Sequence, residues 1–439
     1  MSAPLPDRGA GHGPHSLGPA APPGDEPVQP PESRTPSQQS QRGLDWFIFF
    51  LADVQTGFGP FIAVYLTTQK WTQVEIGLVL SVGGIIGLIG QMPGGAIVDA
   101  AKDERKVAGA AVAAIGVAAL AYALLPIFPV VMAAATLHAA ASCVLGPSIA
   151  AISLGLVGPY LIGERLGRNA RCASLGNGVA AAVMGTAGYL LSSRSVFLVT
   201  CLLVIPTLIA LSRIRGQEID SAQAHGAVRR DEGPAFRFSD LANLLRQRPL
   251  LVFAAAMLML QLANAAMLPL MASAVTSRSS DSAPALIAFC IVVPQAIVAL
   301  FSPRVGRWAQ SIGRKPLLFA GFGALAIRGV LFSTVTDPYL LVAVQLFDGV
   351  TAAVFAVLVP LIIADVAFGS GHFSFAQGVV GTAGGIGASL SNVLAGLIAD
   401  KFGSHAAFLG LACVAALGLT VVWLLMPETR RVEPEKAEG

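Results

Sequence analysis

Two stretches of this chain repeat each other at a fixed offset. Gly95-Ala96-Ile97-Val98-Asp99 ends one apolar segment, and Gly306-Arg307-Trp308-Ala309-Gln310 ends another 211 positions later. Leu51-Ala52-Asp53 recurs as Leu262-Ala263-Asn264 at the same offset. Repetition inside long apolar segments describes two copies of one membrane module, an arrangement that points to transport across a bilayer. The copies differ in one respect: at both places the first carries Asp where the second carries an amide.

Of the 439 residues, 54% are hydrophobic and only 12% charged, whereas a soluble chain has about a quarter charged. Apolar runs recur from Asp45 to Met426, each of about 20 residues, enough to cross a hydrocarbon core. The 47 Gly suit close helix packing in lipid, where burial supplies no driving force. The five Cys (143, 172, 201, 290 and 413) stand singly in or beside apolar segments, with no metal-ligand spacing among them. No cofactor or metal is expected.

Breaking the apolar stretch at charges and Pro/Gly turns predicts twelve spans, an all-α integral membrane protein. The first six are 44–66, 75–98, 107–126, 128–154, 172–192 and 196–212. A polar stretch at 213–248 follows, then 249–275, 283–303, 317–335, 338–364, 376–398 and 405–426. Residues 1–43, rich in Pro, Gly, Ser and Gln, have neither the apolar stretch of a signal peptide nor the acid-poor composition of a transit peptide, and read as a disordered tail. Residues 428–439 read likewise. With both termini inside, the Lys and Arg fall on the tails and alternate loops, except Lys70, Arg194, Arg278 and Lys401 on the other side and Arg328 within a span. That bias predicts a multi-pass protein of a plasma (bacterial inner) membrane with both termini and the linker 213–248 cytoplasmic.

Twelve spans in two similar halves, joined by a basic cytoplasmic linker, resemble the major facilitator superfamily. Its diagnostic loop motif between helices 2 and 3 is matched by Gly95-Ala-Ile-Val-Asp99-Ala-Ala-Lys102-Asp-Glu-Arg105-Lys106, with the basic pair displaced by two residues and the second Gly absent. The second copy, Gly306-Arg-Trp-Ala-Gln310-Ser-Ile-Gly313-Arg314-Lys315, keeps the basic turn and replaces the acid by Gln. The resemblance covers 44–427 and implies two six-helix bundles, 44–212 and 249–427, around a central cavity lined by helices 1, 4, 7 and 10. It assigns Gly95, Asp99, Arg105 and Lys106 to a cytoplasmic gate, with Gly306, Gln310, Gly313, Arg314 and Lys315 as the weaker counterpart. An acid beside a helix N-terminus interacts with its positive dipole end, and a nearby Arg or Lys competes for it.

Ionisable groups within the spans are expensive and face a cavity or a partner. Asp53, with Pro60 two turns on, resembles the first helix of the family's drug–proton antiporters; His138 lies in span 4, Arg328 in span 9 and Asp348 in span 10. Asp53, His138 and Asp348 are candidates for proton coupling in the cavity. The alternatives are a buried ion pair between Arg328 and Asp348, and a hydrogen bond from His138 to a backbone carbonyl or to Ser142. Gln55, Asn264 and Gln345, with Asn177 and Gln295, are candidates to bond a substrate or a neighbouring helix. The Gly-rich stretches 176–188 and 378–387 mark helices 5 and 11 as close-packed. The antiporter motif of helix 5 needs Gly-Pro followed by Gly-Gly, whereas here Gly188 is followed by Tyr189.

The basic stretch Glu164-Arg165-Leu-Gly167-Arg168-Asn169-Ala-Arg171 reads as a cytoplasmic loop rather than a nucleic-acid patch. No phosphate-binding loop of the Gly-x-x-x-x-Gly-Lys-Ser/Thr type and no nucleophile motif occurs, so neither ATP-driven pumping nor an enzyme is supported. The expectation is a monomeric secondary transporter acting on a small molecule, with protons and the lipid bilayer as its other partners. Export of a small organic compound is the first reading, uptake of a metabolite the second, and a transport-inactive receptor or scaffold the third.

Overall fold

A run of 63 helical residues, Phe128–Leu190, fills most of the later part of the first half. At 1.5 Å per residue a straight helix of that length is about three bilayer cores long. It is broken instead at Gly158, whose φ of 72° no β-carbon-bearing residue adopts easily, followed by Pro159, which suits a first helical position. Phe373–Leu425 is broken in the same way at Gly403, with φ 85°. The computed structural model describes residues 36–52, 54–55, 59–192, 194–226, 246–276 and 283–430. Asp53, most of the tail 1–43 and residues 227–245 of the linker lie outside the described residues.

The described elements are helices throughout, in the order α1 (Gln38–Ala52), α2 (Gly59–Thr68), α3 (Gln73–Ile89), α4 (Gln91–Asp99), α5 (Glu104–Leu124), α6 (Phe128–Leu190), α7 (Ser195–Ser212) and α8 (Ser221–Ala224). The second half adds α9 (Arg248–Asn264), α10 (Met267–Thr276), α11 (Ala283–Ser311), α12 (Lys315–Thr334), α13 (Pro338–Val366) and α14 (Phe373–Leu425). Among them eight are individually long and apolar enough to cross a membrane, or nine when α3 and α4, bent by 48° at Gly90, count as one span.

Local chemistry starts these helices. Thr72 and Glu75 form a reciprocal capping box on α3. Asp103, Asp220 and Asp337 cap α5, α8 and α13, each accepting two backbone N–H bonds. The outer faces carry exposed Leu202, Ile205 and Ile209 on α7 and Trp423 and Leu424 on α14, as a lipid-facing surface requires. Two apolar cores lie behind them. One joins Phe47, Tyr65, Tyr122 and Phe197; the other joins Phe253, Phe322, Phe332 and Phe355 and takes Leu154, Ile162 and Leu166 from α6.

Three boundaries differ from the sequence expectation. The basic stretch 164–171, expected as a loop, is helix: span 5 starts at Pro159 rather than residue 172, because Gly158 alone makes the turn. The first helix starts at Gln38, inside the expected tail, where Ser37 and Ser40 bond the linker residues Glu218 and Arg215. Spans 1 and 7 are each described as two helices, α1 with α2 and α9 with α10.

Candidate functional site

Four glycines set the closest approach between the halves. Gly95 on α4 lies against the backbone of Ser374 and Phe375 at the start of α14, and Gly378 on α14 lies against Gln91 and Met92. On the other side, Gly306 on α11 lies against Gly163 and Glu164 of α6, and Gly167 lies against Ser302 and Pro303. A methyl group on any of the four would fall on facing backbone. Each residue of the first interface corresponds to one of the second at the 211-residue offset: 95 with 306, 91 with 302, 374 with 163 and 378 with 167. The repeat visible in two segments therefore extends to the partners they pack against.

Asp99 is buried within the first interface, and its carboxylate accepts the backbone N–H of Ser374 at 2.9 Å and of Phe375 at 2.7 Å. These belong to the opening turn of α14, whose N–H groups have no partner within the helix and which carries the positive end of the dipole. Arg105 and Lys106 are not brought to Asp99. The Arg105 guanidinium bonds the Ile214 carbonyl and lies 3.6 Å from Asp103, and Lys106 lies 3.7 Å from Asp103.

In the second interface Gln310 sits against Gly163, a full turn inside a helix that starts at Pro159. The N–H groups facing it lie inside their own helix, so a carboxylate there finds no free backbone donor. That removes the reason for an acid; the Gln310 Nε2 is itself buried with no hydrogen-bond partner among the described residues. Arg314 enters a buried pair with Asp365, Nε to Oδ2 2.9 Å, and its NH1 donates to the Ala309 carbonyl and, at 3.5 Å, to the Gln310 side-chain oxygen. Glu428 accepts from the backbone N–H of Arg314 at 2.9 Å and Lys315 at 3.0 Å, tying the chain after α14 to the start of α12. Partial burial pushes its carboxyl up, but the N–H groups of Arg314, Lys315 and Arg430 and the charge of Arg314 outweigh that and hold it below the ordinary 4.5.

The residues expected to face a cavity form two separate groups. In the first half His138 Nε2 lies 3.1 Å from the Gln55 carbonyl, so that nitrogen donates, and the Gln55 amide donates to the Ser142 carbonyl at 3.3 Å. Val54 and Gln55 lie in a wider π-type turn between α1 and α2. Gln55, His138, Ser142, Gln91 and Tyr122 line a cleft of about 360 Å³, whose other walls are largely apolar. In the second half Arg328 NH1 donates to Asp348 at 2.5 Å and to the Asn264 side chain at 2.7 Å. Gln345 is fully buried beside the Cys290 thiol, and Gln295 accepts from Ser174 across the halves. Of the Gly-rich stretches, Gly176 and Gly387 lie against the backbone of Phe49 and Leu258, whereas Gly178 faces open space.

Sequence reasoning missed several partners. Asp45 on α1 holds both Arg165, at 2.5 Å, and Arg168 of α6. The i,i+3 spacing of those two arginines was the available signal, hidden by reading the stretch as a loop. Asp365, Glu428 and the linker residue His225 carried no motif.

Residues 46–288 and 250–439 match the family model described as Major Facilitator Superfamily. The chain is 38% identical over 392 residues to an uncharacterized MFS-type transporter of Mycobacterium tuberculosis, from both strain CDC 1551 / Oshkosh and strain ATCC 25618 / H37Rv, covering 88% of this chain and 93% of that one. The fold is similar to the human organic anion transporter MFSD10 (TETRAN), with TM-score 0.64, 15% identity and coverage of 88% of this chain and 100% of that one. It is also similar to the proton:xylose symporter XylE, with TM-score 0.65, 15% identity and coverage of 89% and 96%. With a family match over most of its length and the glycine-paired closure between its halves, the chain belongs to the major facilitator superfamily of membrane transporters.

Proposed function

We propose that this transporter exports a small, amphipathic organic compound in exchange for protons, by rocking the bundles 44–212 and 249–427 about a central site. The observation that carries the reading is the closure of one end. Two glycine interfaces and the Asp99–α14 contact seal the halves together where the motif loops lie. A seal of a few close contacts over one end is the kind of bistable element that alternating access uses. By the distribution of Lys and Arg, that end is cytoplasmic. The cleft beside Gln55 and His138, mostly apolar with a few polar groups, suits an amphipathic ligand. Asp53, within the first expected span of the sequence, is proposed to take up the proton outside and release it inside; this role rests on its place in the sequence.

The measurement is solute movement in everted vesicles under an imposed proton gradient. Accumulation driven by an acid interior supports exchange, and loss of the effect in Asp53→Asn is the expected result. Wild-type coupled transport in that variant overturns the coupling role. Uptake of a metabolite is the second reading, favoured by Tyr189 in place of the helix 5 antiporter motif; opposite movement of solute in the same vesicles decides for it.

A further inference from the structure

The linker between the halves is built into the closed end. After α7 the chain makes a short turn at Gly216–Glu218 and enters α8. The Asp220 N–H donates to the Gly155 carbonyl of α6 at 2.9 Å, and Ala224 packs with Val98 and Ala151. His225 is 3% exposed, and its Nε2 lies 3.3 Å from both the Glu104 carboxylate and the Val98 carbonyl. Both neighbours are acceptors, so this nitrogen carries the hydrogen. Glu104, 2% exposed, also faces the Ser221 hydroxyl at 3.5 Å, so two linker side chains converge on it. These contacts fix the segment to the first half.

Its main chain holds the second half. The His225 carbonyl accepts the N–H of Phe373 at 3.3 Å, and the Gly226 carbonyl accepts the N–H of Gly369 at 2.5 Å. Phe373, Ser374 and Phe375 open α14, so the first turn of that helix is shared: one N–H goes to His225 and two to Asp99. A helix start with its N–H groups divided between the first half and the linker cannot leave one without leaving the other.

We propose that residues 219–226 form a third part of the gate, a clasp in which His225, held by Glu104, is a positioning residue for the start of α14. The clasp comes off when this end opens, so the His225–Glu104 contact biases the transporter toward the closed state. The proposal rests on the alternating-access reading above.

The test is the distance between spin labels at Lys102 and Arg307, both exposed and on opposite halves at this end, in cysteine-free protein in nanodiscs. His225→Ala and Glu104→Ala are each expected to raise the ratio of long to short distances about fivefold, the effect of one hydrogen bond on a two-state equilibrium. The double variant is expected to go no further, because both changes remove the same contact. His225→Gln, which keeps a donor, is expected to stay closer to the parent, an outcome a merely structural role does not produce. Asp99→Asn serves as the reference. Parent-like distances in His225→Ala and Glu104→Ala, with Asp99→Asn shifted, overturn the clasp. Parent-like distances in all three overturn the gate reading itself, and the clasp with it.

Discussion

At the scale of single residues, absent side chains matter as much as present ones. Gly95 and Gly306 admit facing backbone where any β-carbon collides. Overpacking costs about 1–3 kcal/mol, enough to move a closed-to-open ratio about fivefold or more. Gly95→Ala and Gly306→Ala are therefore expected to expose this end and lower transport while leaving expression near normal, read by label distances and solute flux together. Inside the second half, the charges of Arg328 and Asp348 are compensated mainly by each other. Removing either leaves a buried charge, at a cost of about 3–5 kcal/mol. Arg328→Ala and Asp348→Ala are each expected to lower the melting temperature, with the double variant no worse than the singles; additive losses in a double-mutant cycle would refute the pairing.

At the scale of elements, where a helix starts decides what its neighbour can be. The second arm of α6 starts four residues ahead of Gly163, whereas α14 starts one residue ahead of Ser374. Free N–H groups therefore face position 99 but not position 310. Gln310→Asp is expected to lower thermal stability and to leave label distances at this end no shorter, since the acid meets no free backbone N–H of the facing helix. A tighter closed state in that variant would show the argument wrong. The strap formed by Glu428 has its own signature. Its carboxyl is held below the ordinary value in the folded state, so its contribution is present above that ordinary value and is lost as pH falls through the lower folded one. The melting difference between wild type and Glu428→Gln should be largest near neutral pH and vanish on acidification; a difference independent of pH would refute it.

At the scale of the molecule, the two halves close one end through equivalent surfaces with unequal chemistry. The first interface is an acid on a helix start, braced by the linker; the second is small-residue packing alone at the corresponding position. The proposed orientation in the membrane rests on charge rather than on packing. With both termini inside, a membrane-impermeant thiol reagent added to intact cells is expected to label cysteines placed at Lys70 or Lys401 and not at Lys102. The reverse pattern would invert the topology and the proposed direction of transport.

The apolar runs, the 211-residue repeat and the Gly-x-x-x-Asp motif were enough for the fold, because in a bilayer only a helix satisfies its own backbone and a repeated module must pair with its copy. The sequence also singled out Asp99, Arg328 and Asp348, since charge among apolar residues is conspicuous. It misplaced 164–171, because a helix carrying positive-inside charge reads the same as a loop until a glycine turn locates its start. It marked Arg165 and Arg168 by their spacing but did not name Asp45 as their partner, and it offered no sign of His225 with Glu104 and Phe373. Those pairings join residues about 120 or more positions apart, and nothing local requires them. Why one copy keeps an acid and the other an amide was likewise a tertiary matter: it depends on whether the opposite helix begins, or has already begun, where the side chain arrives.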